Sequence, residues 1–411
     1  MQVTGDGNVA GAAMRFALRH RVLLSSAALS ALCVWTVGDA ARAALGGAPL
    51  LEAALILAGA ALAAVSLLFY TRHWALALLT AAAPLPGLTW AAPTGAGDAF
   101  GAVPLLAYVF AYAVAVVLAH NVLVRTLDSG VVEHPFKPAG AAVALMSAMA
   151  LSWFWRTPAG AAAYQAVLDA VLAVVSTLIV MPIGAAFLQF DEVFVAVANR
   201  ARERRQRLFE KIGVVTMPRW GMSIAGIALI FIALAGFGAE PALFSKHFGS
   251  VFAASLGLAF AFSVVVCGGW REGLGVTVAA GLAGLMALWA FAEIRNVAQA
   301  SRVGVMEIMS LTFFLAFCSA RRAAKYRRLG DDPSVARLRA VEDLGGPQLI
   351  AVLGGIAAVL PSVVVHHAYA AYPVALAFAG AGAVGFAPAL ATACAALLPR
   401  RRSVEELYGR D

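Results

Sequence analysis

The sequence predicts an all-α integral membrane protein with twelve transmembrane helices, arranged as a parallel repeat of six plus six. Three observations favour this class. The 411 residues are 62% hydrophobic and only 13% charged, which is more apolar surface than a soluble domain buries. Apolar runs of about 18 residues or more recur along the chain, each long enough to cross about 30 Å of hydrocarbon. Finally, landmarks of the first half of the chain recur in order in the second half.

The apolar runs set the boundaries of the predicted spans. They are residues 17–37, 48–70, 74–92, 102–124, 138–155, 161–188, 220–238, 247–268, 273–292, 303–320, 347–366 and 373–398. The third span contains Pro84 and Pro86, so we expect it to be kinked or partly re-entrant. The first run lacks a small-residue cleavage site, which favours a retained helix over a cleaved signal.

The basic residues predict the orientation. Seven Lys and Arg residues lie between 200 and 219, and seven more lie in the charged stretch 319–350, while the alternate connections are short and poor in basic residues. An excess of Lys and Arg marks the cytoplasmic side. Both termini are therefore expected in the cytoplasm, and the protein is expected to be a multi-pass protein of the cell (inner) membrane.

Five positions of the first half have counterparts in the second half at a nearly constant offset. They are Arg21 and Arg219, Arg72 and Arg271, Pro104 and Gly304, Pro138 and Pro347, and Pro182 and Pro388. The offset increases where the stretch 319–350 inserts extra residues. Halves with an even number of spans share one orientation, with a pseudo-twofold axis along the membrane normal. The predicted units are a first half at 1–190, a basic cytoplasmic linker helix at 191–219 and a second half at 220–411.

Within the second half, residues 321–346 are expected to be a cytoplasmic amphipathic segment. Pro333 is typical of a helix start, and Gly345 and Gly346 predict its end. The apolar stripe of this helix consists of Val335, Leu338, Val341 and Leu344. Such a helix is expected to lie along the inner membrane face.

Ionisable and polar side chains inside the spans are the candidate site residues, because burial of an ionisable group in hydrocarbon costs several kcal/mol. Glu307 in span 10, with Ser310 on the same face, and Asp169 in span 6 are candidates for proton coupling or the substrate path. A later start of span 10, with Glu307 near the outer surface, is the alternative for Glu307, and a hydrogen-bonded structural role is the alternative for Asp169. His120 and Asn121, at the inner end of span 4, are candidates for gating, with snorkelling or helix capping as the favoured alternative.

The sequence contains no Walker motif, hydrolase elbow or metal-spaced Cys and His cluster. We therefore predict no enzymatic activity, no cofactor and no metal. The four cysteines are interpreted as small buried hydrophobic residues. The net charge of +8 indicates Lys and Arg near anionic lipid and not nucleic-acid binding. The expected partners are the bilayer, a hydrophobic or amphipathic small molecule or lipid, and a partner membrane or periplasmic protein.

Two stretches carry a resemblance to a known family. They are YRRLGDDPSVARLRAVEDLGGPQLIAVLGGIAAVLPSVV, from Tyr326, and the tail GFAPALATACAALLPRRR, from Gly385. Both resemble the last helices of exporters of the resistance–nodulation–division superfamily, with the MMPL-type lipid exporters the most similar. The resemblance is best over 247–402 and weaker over 14–190. It implies lipid export and ionisable relay groups in spans 4 and 10. The large extracytoplasmic domains of that family are missing here, and span 4 contains no acidic residue.

The leading functional hypothesis is a carrier for a lipidic or amphipathic compound, coupled to protons through Glu307 and Asp169. The first alternative is a non-transporting membrane subunit of an exporter or of a lipid or envelope biosynthesis complex. The second alternative is a major-facilitator-type carrier, which shares the parallel plan of six plus six helices. The short connection YTRHWA, from Tyr70, counts against it because that family carries a longer conserved motif there.

Overall fold

The computed structural model describes residues 50–71, 73–90, 103–126, 134–154, 160–188, 246–267, 269–295, 298–365 and 367–397. Every regular element within these ranges is helical. The predicted spans at 17–37 and 220–238, and the linker helix at 191–219, lie outside the described residues.

The helices are named here in chain order. They are α1 Leu50–Thr71, α2 Trp74–Ala82, α3 Leu85–Trp90, α4 Val103–Thr126, α5 Phe136–Trp153, α6 Gly160–Leu188, α7 Lys246–Cys267, α8 Trp270–Arg295, α9 Ala298–Arg328, α10 Pro333–Val365, α11 Ala371–Gly380 and α12 Ala387–Leu397. Seven stretches within the described ranges are long and apolar enough to cross a membrane. In a helix, the backbone N–H and C=O groups bond one another, which is required in hydrocarbon because lipid chains offer no hydrogen-bond partners. The chain is thus all-helical where it is described, as the sequence predicted for a membrane protein.

The predicted kink in the third span is confirmed as a break between α2 and α3. Pro84 lies in the turn between them and has no N–H to continue the ladder. Two carbonyls next to the break accept hydrogen bonds from other helices: Tyr108 Oη donates to Ala81 O at 2.9 Å, and Ser176 Oγ donates to Ala83 O at 2.7 Å. Irregular backbone is thereby satisfied inside the bundle, where water is excluded.

Helices α4 and α9 form the centre of the bundle. In their most apolar stretches, 94% of the residues of α4 and 100% of those of α9 are buried. The two helices contact each other. Around them, α1 packs on α10, α5 packs on α7, α3 and α4 pack on α6, and α8 packs on α11 and α12. The α1–α10 contact is so close that a Cβ atom at Gly59 would overlap the carbonyl of Ala358. Close backbone approach at small residues is how helices associate when lipid surrounds them.

The end of the bundle where α9 ends and α10 begins is called the basic end here, after the Lys and Arg residues of 321–328. The predicted helix end at Gly345 and Gly346 is wrong, because α10 continues without interruption from Pro333 to Val365. Gly346 lacks the Cβ that would clash with the ring of Pro347 in a helical conformation. Gln348 then fastens this part of α10 to α9, as its Nε2 donates to Leu315 O at 2.6 Å and to Ser319 Oγ at 2.7 Å.

The predicted apolar stripe of the first turns of α10 is only partly buried. Val335 and Leu338 are exposed, whereas the buried face of these turns consists of Ala336, Arg337, Ala340 and Leu344. The reason is steric, since the small Ala336 and Ala340 pack closely against Ala323 and Tyr326 of α9. The bulky Val335 and Leu338 are left on the outer surface, where an interface with lipid suits them.

The last membrane-crossing stretch contains a π-helical turn at Ala381–Phe386, between α11 and α12. Pro388 follows this turn. It has no N–H to donate to the carbonyl four residues earlier, and in a regular α-helix its ring would clash with that carbonyl. The turn widens to relieve that conflict, and the Ala387 N–H donates to Gly382 O, five residues earlier. α6 remains α-helical through Pro182, the position that the sequence repeat pairs with Pro388.

Candidate functional site

Glu307 lies inside the bundle, on the central helix α9. It is nine residues after the first residue of that helix, about 14 Å along it. Its side chain is buried, with 5% of the residue exposed. Helix α9 begins at Ala298, before the predicted start at 303, which is opposite to the later start that the alternative interpretation of Glu307 requires. The carboxyl group is enclosed by protein.

Asp169 of α6 is the acidic neighbour of Glu307. It too is nine residues after the first residue of its helix. Only 2% of Asp169 is exposed, and the two carboxyl groups are close enough to interact electrostatically. The structure therefore brings together two of the residues that the sequence selected separately, one from each half of the chain.

The two carboxyl groups differ in their hydrogen bonds. Asp169 Oδ1 accepts a hydrogen bond from Gln165 Nε2 at 2.7 Å, one turn earlier on the same helix. Glu307 Oε1 is buried and has no hydrogen-bond partner among the described residues. An isolated carboxylate in such a place is very costly. Two interacting carboxyl groups can bind, share and release a proton, and uptake by one changes uptake by the other.

Ser310 does not complete this pair. It is fully buried one turn after Glu307, but its hydroxyl donates to Met306 O of its own helix at 2.8 Å. A serine in a helix commonly makes this local bond. Ser310 lies on the same side of α9 as Glu307, as predicted, but its hydroxyl bonds the backbone of α9 and not Glu307.

His120 and Asn121 lie near the basic end, away from Glu307. Both are buried, so their side chains do not reach the protein surface as snorkelling requires. Capping of a helix end stays a prediction. The Tyr70 hydroxyl of α1 lies 3.2 Å from His120 Nδ1. Asn121 Oδ1 accepts a hydrogen bond from Arg322 Nη2 at 3.2 Å, which links α4 to α9. The two residues thus contribute to a polar layer between helices, distinct from the carboxyl pair.

Arg322 is the residue that the sequence interpretation missed. It was assigned to a cytoplasmic connection, yet only 1% of it is exposed and it lies inside the bundle. Its Nη1 is 3.7 Å from Asp343 Oδ2, an ionic contact that is too long for a hydrogen bond. The Tyr326 hydroxyl also donates to Asp343. The sequence offers no signal for its burial, because Arg322 is one of seven basic residues within 321–339.

A second ionic group ties α8, α9 and α10 together at the basic end. Glu272, in the first turn of α8, is 4% exposed. Its Oε1 accepts from Arg337 Nε at 3.3 Å and Nη2 at 3.1 Å, and lies 3.3 Å from Arg327 Nη1. Gly269 makes room for this carboxylate, since a Cβ atom there would overlap Glu272. Acidic residues are also favoured at a helix N-terminus.

An aromatic layer separates the carboxyl pair from the polar groups of the basic end. Phe110 of α4 meets Phe314 of α9 edge-to-face, with ring centroids 5.7 Å apart. Phe313 and Phe317 follow on α9, with centroids 5.2 Å apart. All four rings are buried. Glu307 and Arg322 are fifteen residues apart on α9, which is about 22 Å along the helix axis, and the aromatic rings lie between them.

No protein-family model matches the chain, and no curated protein is significantly similar to it. The interpretation of the site therefore rests on its geometry.

Proposed function

We propose that this protein is a proton-coupled membrane carrier for a lipidic or amphipathic compound. The observation that carries the proposal is the pair of buried, interacting carboxyl groups, Glu307 on α9 and Asp169 on α6. Ionisable groups inside a membrane are expensive, and they typically belong to ion or proton pathways. Glu307 is the proton-accepting group of the proposal, and Asp169 is the neighbour whose charge depends on it. The resemblance to resistance–nodulation–division exporters implies relay groups in spans 4 and 10; Glu307 lies in span 10, whereas Asp169 lies in span 6.

The proposal includes the full architecture: twelve spans in two parallel halves of six, with both termini in the cytoplasm of a cell (inner) membrane protein. The helix contacts support the repeat. Under the repeat, the pair α1–α10 is equivalent to the pair α7–α5, and α4–α6 is equivalent to α9 with α11 and α12. The central pair α4–α9 lies on the pseudo-twofold axis. A cysteine placed at Leu329 is then labelled by an impermeant thiol reagent from the cytoplasmic side only.

The test of coupling uses the full chain in proteoliposomes with an imposed pH gradient. The probe is a nitrobenzoxadiazole-labelled phospholipid, and its movement between leaflets is followed by dithionite quenching. We expect the gradient to accelerate movement with the native protein. Glu307→Gln should abolish the acceleration and Asp169→Asn should shift its pH dependence. Ser310→Ala is the matched control, because its hydroxyl bonds only its own helix, and it should behave as the native protein.

An unchanged response to the gradient in the Glu307→Gln protein would remove this residue from the mechanism.

The second candidate function is a non-transporting membrane subunit. The aromatic layer favours it, because the centre of the bundle is closed by Phe110, Phe313, Phe314 and Phe317. Absence of movement for phospholipid, fatty-acid and glycolipid probes alike, with folded native protein, would select this alternative. The carrier proposal requires that the aromatic layer opens during the cycle.

A further inference from the structure

The pair of carboxyl groups formed by Glu307 and Asp169 has no neutralising cation in the described part of the chain. The ion pairs found there use other acids, namely Glu272, Asp331 and Asp343. Glu307 and Asp169 are both buried, their helices contact each other, and the two groups interact electrostatically. Two negative charges at such a place are very costly. The pair is therefore expected to hold one proton and one negative charge.

The hydrogen-bond donors next to the two acids are distributed unequally. Gln165 Nε2 donates to Asp169 Oδ1 at 2.7 Å from four residues earlier on α6, the spacing at which Gln and Asp side chains meet on a helix. Glu307 Oε1 has no partner among the described residues. The hydroxyl one turn later, that of Ser310, donates to a backbone carbonyl. Because a donated hydrogen bond stabilises a carboxylate, the charge is better placed on Asp169 and the proton on Glu307.

We propose that Gln165 assigns these two roles: its hydrogen bond keeps the negative charge on Asp169 and thereby leaves the proton on Glu307. Gln165 acts through Asp169, so it is a positioning residue. The meaning of this role for transport rests on the proposed function, in which a fixed charge on Asp169 makes Glu307 the group that gains and loses the proton. The distribution of charge within the pair exists with or without transport.

The experiment locates the proton by chemical labelling of the full chain in neutral detergent at neutral pH. The probe is dicyclohexylcarbodiimide, an apolar reagent that reacts with protonated carboxyl groups, and peptide mass spectrometry measures the label at each acid. We expect the native protein to carry its label mainly on Glu307. Gln165→Met keeps the length of the side chain but removes the donor. It should lower the ratio of Glu307 label to Asp169 label about tenfold, as expected for one charge-assisted hydrogen bond.

Tyr164→Phe is the matched control, because Tyr164 precedes Gln165 on α6 and is 40% exposed. It should leave the ratio unchanged. Gln165 is only half-buried, so its replacement is expected to preserve the fold; Gln165→Leu is the second variant if Gln165→Met does not fold. A native protein labelled mainly on Asp169, equally on both acids or on neither would overturn the proposal. So would an unchanged ratio without Gln165, or an equal fall in the Tyr164 variant.

The labelling result and the transport result can fail separately. The label is measured without a pH gradient and without lipid movement. The expected labels in a protein that moves no lipid would refute the proposed carrier and leave the role of Gln165 intact. Gradient-driven movement that depends on Glu307, with a label ratio that ignores Gln165, would refute the role of Gln165 and leave the carrier intact.

Discussion

The hydrogen bond between Arg322 and Asn121 joins the two central helices, and its strength can be measured. Its length of 3.2 Å is at the long end of the usual range, and both side chains are more than nine-tenths buried. Hydrogen bonds to charged groups contribute roughly 1.5–3 kcal/mol in general. Those between membrane helices average about 0.6 kcal/mol and reach about 1.7 kcal/mol. A long, buried, charge-assisted bond between helices should therefore contribute about 1–1.5 kcal/mol.

A double-mutant cycle isolates this term. The four proteins are the native chain, Asn121→Leu, Arg322→Met and the double variant, each unfolded reversibly in mixed detergent micelles and followed by circular dichroism. The cycle is needed because Arg322→Met also removes the contact with Asp343 and a buried Nε that has no hydrogen-bond partner among the described residues. Each single variant alone would mix these effects. The coupling free energy is the difference that remains after both single effects are subtracted.

An exposed pair provides the comparison. Arg339 Nη1 lies 2.7 Å from Asp331 Oδ2, a shorter contact, but the Arg339 side chain is 54% exposed. The same cycle there should give at most about 0.5 kcal/mol, because water screens surface ion pairs. The reasoning from burial is refuted if the coupling of Arg322 with Asn121 is no larger than that of this surface pair.

Three further predictions follow from other parts of the molecule. Gly59→Leu should destabilise the bundle by about 1–3 kcal/mol through overlap with α10 and lower the thermal unfolding midpoint, whereas Gly140→Leu, at a position open within 4 Å, should not. Hydrogen bonds from Ser334 lower the pKa of Asp332, at the N-terminus of α10, below its ordinary value of 3.8. The ionised Asp332 therefore stabilises the folded protein fully above pH 3.8, and this stabilisation is lost as the pH falls through the lowered pKa. The difference in thermal unfolding midpoint between the native protein and Asp332→Ala should therefore shrink from pH 6 to pH 3. If it stayed constant, the carboxylate would not be the stabilising group. Trp153→Phe removes the indole N–H that donates from α5 to α7 at 3.1 Å, and should give a loss of about 1 kcal/mol in the same unfolding assay, with intrinsic fluorescence as a check on native packing.

Hydropathy predicted the seven described stretches that are long enough to cross a membrane, because the length of an apolar run is fixed by the bilayer. The predicted spans 74–92, 138–155 and 247–268 are helical where described but are not among the seven. The break at Pro84 was also predictable, since a proline inside a helix removes a hydrogen bond whatever its surroundings. The continuation of α10 through Gly345 and Gly346 was not. Local propensity favoured an end there, whereas the fixed contact of Gln348 with α9 outweighs it.

The candidate site was predictable in part for a related reason. Glu307 and Asp169 are conspicuous because each is an acid in an apolar run, but only the fold shows that they lie on contacting helices and interact. Arg322 was hidden by its neighbours, because six other basic residues of 321–339 surround it in the sequence and suggest a solvated segment. Burial of one arginine among several is decided by the direction of its side chain from α9, which composition does not reveal.

The aromatic layer at the centre of the bundle has an electrical consequence. Across a membrane, the voltage drops mainly where the material is least polarisable, and the rings of Phe110, Phe313, Phe314 and Phe317 are such a region. Glu307 lies on one side of it and Arg322 on the other. In the proposed carrier, a proton that passes from the first level to the second would cross most of the membrane potential, about 2.3 kcal/mol for each 100 mV. In that carrier, the electrical driving force would act at this thin barrier.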